Sequence, residues 1–277
     1  MISSLFQYEF LQNAFFTGMM IGLLAPLMGV FIVVRRLSLI ADALSHITLG
    51  GIAFGMLIQK QTAGFAFLNP LYMGMVFSVI GSLFMERLRD VYKHYQELAV
   101  PIILSGGVGL SVIFISLADG FNADLFGYLF GSVTAVSRMD LWTILVITVA
   151  VAIIIGLFYK ELFFLSFDEE HAVASGVKAK WIHFAFILMA ALIIAASMRI
   201  VGILLVSSLM TLPTAASIRI ARGFKQTIFL SVIFGEVSVL GGLFAAYHLD
   251  LAPGGTIVII AIFILIGAIF WKKSRQG

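Results

Sequence analysis

Apolar stretches close to the length of a bilayer crossing recur from one end of this chain to the other. A hydrocarbon core about 30 Å thick takes about 20 residues of helix. Nine stretches approach that length, near 10–34, 37–58, 70–88, 98–118, 140–159, 181–198, 200–218, 226–247 and 255–271. Backbone N–H and C=O groups in hydrocarbon must be satisfied within the protein, and long continuous apolar runs do that as helices. Only Ser197-Met198-Arg199 separates the sixth stretch from the seventh, so eight spans is the second count. The chain is 61% hydrophobic and only 11% charged, against about 25% charged in soluble domains. No polar block is large enough for a soluble domain. The expectation is one domain over residues 1–277, an all-α polytopic transmembrane helical bundle of about nine spans.

The charges set its orientation, because cytoplasmic loops of membrane proteins retain Lys and Arg. Arg35 and Arg36, Arg87 to Lys93, Lys160 to Lys180, Arg219 to Lys225 and Lys272 to Arg275 fall on one side of the alternating spans. Only Lys60, Arg138 and Arg199 fall on the other, 3 of the 17 basic residues. The N-terminus is therefore placed outside and the C-terminus in the cytoplasm. The net charge of +3 is accounted for by this asymmetry, and no nucleic-acid partner is implied. With no cysteine in the chain, disulfides and thiolate metal sites are excluded. Met1 to Phe10 lacks the basic and cleavage regions of a secretory signal.

Several features speak to packing. Gly18 and Gly22, Gly51 and Gly55, and Gly241 and Gly242 beside Ala245 are spaced to let helix backbones approach closely. Pro26 and Pro213 interrupt helical stretches and should kink them. Segment 119–139 is too polar to span and too apolar for an ordinary loop, which suits a short re-entrant or interfacial helix at an outer pathway mouth.

A charged group inside a span needs a reason. Asp42 and His46 in the second span lie four residues apart, on one helical face. A carboxylate and an imidazole can together hold a divalent first-row cation, or can hydrogen-bond each other and so lower the cost of burial. Two-fold symmetry would turn the pair into two Asp and two His, a nitrogen/oxygen set suited to zinc first and to manganese second. Asp90 and His94 repeat the spacing in a basic cytoplasmic stretch, where a solvated face explains them. Glu236, midway along the eighth span, is either a neutral carboxyl facing other helices or a pathway residue. His183 lies near a cytoplasmic helix end, and His248 and Asp250 belong to the outer face.

Between the fifth and sixth spans, Ser166-Phe167-Asp168-Glu169 has a capping-box pattern. A short helix through Glu169, Glu170, His171 and Ala172 would follow, stopped by Gly176. This is a docking element for a cytoplasmic partner or an ordinary connection. The chain has no G-x-x-x-x-G-K-[ST] phosphate loop, and Leu104-Ser105-Gly106-Gly107 lies inside a span, so the chain is not expected to hydrolyse ATP. It also lacks the H-E-x-x-H pattern of metalloproteases.

Three blocks resemble the permeases of bacterial zinc and manganese ABC importers. Arg35-Arg36-Leu37-Ser38-Leu39-Ile40-Ala41-Asp42-Ala43-Leu44-Ser45-His46 is similar to the family's R-R-x-S-x-x-G-D-A-L-S-H run. Asp124-Leu125-Phe126-Gly127-Tyr128-Leu129-Phe130-Gly131 matches its D-L-x-x-x-L-F-G segment. The third block runs from Asp168 through Gly176 to Val201-Gly202 and Pro213-Thr214-Ala215-Ala216. Ala41 replaces the family's usual Gly, and Thr214 interrupts its P-A-A. The resemblance implies a multi-pass permease of the bacterial cytoplasmic membrane, related to the cobalamin-importer fold and either homodimeric or paired with a different permease. It implies a cytoplasmic ATPase dimer and an extracytoplasmic metal-binding receptor as partners, with Zn as the first expectation for the transported substrate, Mn as its alternative, and no permanently bound cofactor. Asp42 and His46 would line the route, with Glu236 a further pathway candidate. Asp168, Glu169, Glu170, His171, Ala172 and Gly176 would couple to the ATPase. An ion-coupled metal transporter independent of any ATPase is the alternative.

Overall fold

The computed structural model describes residues 8–61, 69–118, 120 and 122–274. The reading of Met1 to Phe10 as lacking a secretory signal therefore falls largely outside the described residues, as does Arg275. Every regular element among them is helical: α1 (Glu9–Val34), α2 (Ser38–Gln61), α3 (Pro70–Val91), a 3₁₀ turn (Gln96–Leu98), α4 (Ala99–Leu117), α5 (Ala123–Phe130), α6 (Arg138–Leu157), α7 (Tyr159–Phe167), α8 (Glu169–Ala174), α9 (Ala179–Val201), α10 (Val206–Ile220), α11 (Phe224–Leu249) and α12 (Pro253–Ser274).

Eight helices are long and apolar enough to cross a membrane. The ninth expected span is α10, of 15 residues, about 22 Å long at 1.5 Å per residue. The expectation of nine therefore rests on the alternation of basic residues alone, while length and apolarity support eight. The break before α10 lies at Gly202–Leu205 and not at Ser197–Arg199, because α9 continues to Val201 and ends on Gly202 at φ +83°.

Backbone left bare by that break is satisfied by α5, the short helix inside segment 119–139. Asn122 caps α5 by accepting from the Leu125 N–H at 2.8 Å. Beyond its last turn the chain lies along the break: Ile203 N–H donates to Tyr128 O at 2.9 Å, and Ser132 N–H to Arg199 O at 3.0 Å. The approach requires glycine. A Cβ on Gly131, at φ +82°, would stand 2.0 Å from Ile200 O, and one on Gly254 would stand 1.9 Å from Val201 O. Gly131→Ala is expected to destabilise the detergent-solubilised protein by about 1–3 kcal/mol through strain and overpacking. Gly106→Ala, where a Cβ meets nothing within 4 Å, should not, as thermal unfolding of the two variants would show.

Within the bundle α1, α2 and α9 are central: two-thirds of the apolar window of α1 and of α2, and 72% of that of α9, is buried, against 22–33% in α3, α4, α6, α11 and α12. The small residues pack as their spacing suggested. Gly51 and Gly55 seat Met73, Phe77 and Pro70 of α3, while Gly18 and Gly22 seat Leu243, Val239 and Glu236 of α11. Pro26 presses on Gly235 of α11, and Ser231 donates to the Pro26 carbonyl at 3.3 Å.

Candidate metal-binding pair and its flanking polar clusters

Helix α2 starts at the cytoplasmic end, so Asp42 and His46 lie about 6 and 12 Å into its rise, in its inner half. Their neighbours Ala41, Ala43, Leu44 and Ser45 are buried, while Asp42 and His46 are half-exposed and Leu39, one turn earlier, is 63% exposed. Positions 39, 42 and 46 thus share one helical face, open at Leu39 and partly covered at Asp42 and His46. On the buried side Ser45 and Thr48 donate to Ala41 O and Leu44 O, so they draw nothing from the pair. Ser111 of α4 donates to the His46 carbonyl at 2.9 Å, and the close contact of Gly107 with Ile47 and His46 backbone fixes α2 against α4.

The Asp42 and His46 side chains do not hydrogen-bond each other, and neither side chain has a hydrogen bond or ion pair among the described residues. Their donor atoms are uncommitted. No group of three or more metal-ligating side chains occurs among the described residues. Glu236 is not brought to them: it faces Gly22 of α1, with its Oε2 buried and without a hydrogen-bond partner. Asp90 and His94 are exposed, as are His248 and Asp250.

Two polar clusters flank the pair, and sequence reasoning missed both. Beneath it, His183 of α9 is buried, although a solvated helix end was expected. Arg35, at the corner between α1 and α2, donates through Nη2 to its Nδ1 at 2.7 Å and lies over the Phe186 ring. The other ring nitrogen, Nε2, faces Glu86 Oε2 at 3.3 Å and is also touched by Arg89. Burial pulls the Arg35 guanidinium down to about 10, and the charge of Glu169 on α8 acts against that shift.

At the outer end, Asp140 is fully buried. It accepts from Ser137 N–H and Oγ at 3.0 and 2.8 Å and from Asn69 Nδ2 at 3.0 Å, with Arg199 Nε at 3.7 Å. Arg199 also donates to Asn69 Oδ1 and Ala135 O, each at 2.8 Å, and lies over the Tyr128 ring. Burial pushes the Tyr128 phenol up to about 12, so its hydroxyl stays protonated and donates to Asn69 Oδ1 at 3.3 Å. Arg199, Tyr128, Asp124 and Asn122 line a cavity of about 850 Å³ at this face. The available signal was position: Asn69, Asp140 and Arg199 each stand at the end of an apolar span.

The cytoplasmic segment differs from its expected capping. Ser166 belongs to α7 and donates to Leu162 O, so the N-cap of α8 is Asp168, which accepts from the His171 N–H at 2.8 Å. Glu169 and Glu170 fill the first turn, where they suit the helix dipole. Asp168, Glu169, Glu170, His171 and Gly176 are exposed, the last at φ +88°, and Ala172 alone is buried, against Leu165 and Ala179.

A model of the ABC 3 transport family matches residues 7–272. The chain belongs to the ABC 3 transport family. A metal transport system membrane protein of Treponema pallidum is 36% identical over 259 residues, covering 94% of each chain. The manganese transport system membrane protein MntC of Listeria monocytogenes is 31% identical over 276 residues, covering 100% of this chain and 95% of the relative. Among solved structures, PsaBC from Streptococcus pneumoniae in complex with Fab superimposes with a TM-score of 0.83 at 30% identity, covering 96% of this chain and 93% of that one. A metal-chelate type ABC transporter in an inward-facing conformation matches at 0.65 and 18%, a likeness of fold. The permease is thus a multi-pass protein of the bacterial cytoplasmic membrane, with the fold expected of its family.

Proposed function

We propose that this permease carries a divalent metal ion across the membrane as one subunit of an ATP-driven importer, with manganese as the first candidate and zinc the second. The observation that carries the reading is the Asp42–His46 pair, its side chains without a hydrogen bond or ion pair among the described residues, on a partly open face of a central helix. A second copy of the chain meeting that face about a two-fold axis would complete a set of two carboxylates and two imidazoles. Such a set suits zinc in a tetrahedron, and with added water or carbonyl oxygens it suits manganese. The order rests on the relatives, several of which are named for manganese.

An extracytoplasmic receptor would release the ion over the outer cavity, and the pair would replace lost water ligands weakly enough to let the ion leave. ATP hydrolysis belongs to a cytoplasmic ATPase dimer docked on Asp168 to Gly176. Arg35 would link that surface to the pair: it feels Glu169 of α8, holds His183, and stands at the corner that leads into α2, seven residues before Asp42. Membership of an ABC family favours this over ion-coupled transport.

Uptake of radioactive manganese and zinc by cells lacking the protein, with and without the wild-type gene, tests the proposal. Restored manganese uptake that stops on ATP depletion, with excess zinc competing weakly, is the expected result. Zinc uptake indifferent to manganese would reverse the order, and uptake surviving ATP depletion would overturn the ATP-driven reading.

A further inference from the structure

A cavity of about 370 Å³ lies between the end of α6, α7 and the start of α9; it borders the proposed ATPase-docking segment at Ser175 and Gly176, and the transport reading gives its interior no role. Its walls change character along one direction. Glu161, Lys178 and the Ser175–Val177 backbone form the cytoplasmic end; Ile154, Ala185 and Met189 form the other. Met189 stands eleven residues beyond Lys178 on α9, about 16 Å deeper into the membrane. This gradient, polar at the cytoplasmic surface and apolar below it, follows the membrane normal.

The polar end carries an unmet demand. Glu161 Oε2 is buried without a hydrogen-bond partner, and no described ion pair joins Glu161 to Lys178. A buried carboxylate oxygen calls for a donor, and a charged donor serves it best. Trp181, 71% exposed, borders the same opening, and a tryptophan at headgroup level offers an apolar edge to acyl chains and a ring face to a cation.

We propose that this cavity binds an inner-leaflet phospholipid with a primary-amine headgroup, of the phosphatidylethanolamine class. The ammonium supplies N–H donors to Glu161, Lys178 faces the phosphate, and the acyl end follows Ile154, Ala185 and Met189. The chemistry selects the headgroup. A quaternary ammonium has no N–H to give Oε2, and an anionic headgroup would bring further negative charge beside Glu161. Because residues 175–178 directly follow α8, the lipid would steady the segment that presents that helix.

The test is lipid retention by purified, delipidated, full-length protein, read by native mass spectrometry. The protein is offered equal amounts of phosphatidylethanolamine, phosphatidylcholine and phosphatidylglycerol in mixed micelles. Phosphatidylethanolamine should be retained over the other two by about tenfold, the worth of one charged hydrogen bond. Glu161→Gln should erase that preference while unfolding, without lipid, at the wild-type temperature. Equal retention of all three lipids, an undiminished preference in Glu161→Gln, or retention of none would overturn the proposal, the last leaving the cavity to a basic side chain of a partner protein. A Glu161→Gln variant that fails to fold is replaced by Lys178→Gln, which should weaken retention of phosphatidylethanolamine; unchanged retention would count against the assignment. No metal or ATP enters the measurement, so its outcome is separate from that of the transport reading.

Discussion

Asp42→Ala and His46→Ala are each expected to lower metal uptake by at least about 10–100-fold, with protein levels in the membrane unchanged. Losing a group that only orients a metal ligand already has an effect of that size, and about a two-fold axis each substitution removes two ligands at once. Protein levels should hold because neither side chain has a hydrogen bond or ion pair to lose among the described residues. The control comes from the chain itself: Asp90 and His94 repeat the spacing on an exposed face, and Asp90→Ala should transport normally. Uptake assays normalised by immunoblot of the membrane fraction decide it. Normal transport by a membrane-inserted Asp42→Ala protein would remove the pair from the pathway.

Arg199→Leu is expected to destabilise the permease by about 3–5 kcal/mol, the penalty for leaving a buried charge without its partner. Asp140 is 0% exposed and Arg199 is its cationic neighbour at 3.7 Å. The same substitution strips donors from Asn69 Oδ1 and Ala135 O. Since Asn69 begins α3, Asp140 begins α6 and Arg199 ends α9, one substitution loosens three helices at their outer ends. Thermal unfolding of solubilised protein measures the loss, and Arg199→Leu combined with Asp140→Asn should recover part of it, because the uncompensated charge is then gone. Strict additivity of the two substitutions would mean that Arg199 and Asp140 do not act together.

Much of the architecture was legible because a bilayer imposes simple rules on a sequence. Span length, apolarity and the bias of Lys and Arg to one side each follow from hydrocarbon and membrane potential acting on the chain locally. The reading faltered where α9 gives way to α10. Hydropathy there is continuous, and the break depends on Gly202 adopting a positive φ while residues 128–132 supply its backbone partners. Those partners come from about 70 residues earlier in the chain, so no local pattern announces them. The capping of α8 went astray for a smaller reason: Ser166 and Asp168 are both acceptable caps, and the continuation of α7 to Phe167 chose between them.

Asp42 and His46 could be picked out from sequence because four residues of helix always place two side chains on one face. That they lie on a partly open face of α2 could not, because exposure is decided by α3, α4 and α9 closing over the other faces. Glu236 shows the limit from the opposite direction. Its depth in the membrane was evident, but its orientation towards Gly22 of α1 was set by helix packing. His183, Arg35 and Glu86 come together from α9, the α1–α2 corner and α3, and Asn69, Asp140 and Arg199 from three more helix ends. Spacing along a chain records which residues share a helix face; which faces meet is a matter of how the helices pack, and that alone assembled both polar clusters around the pair.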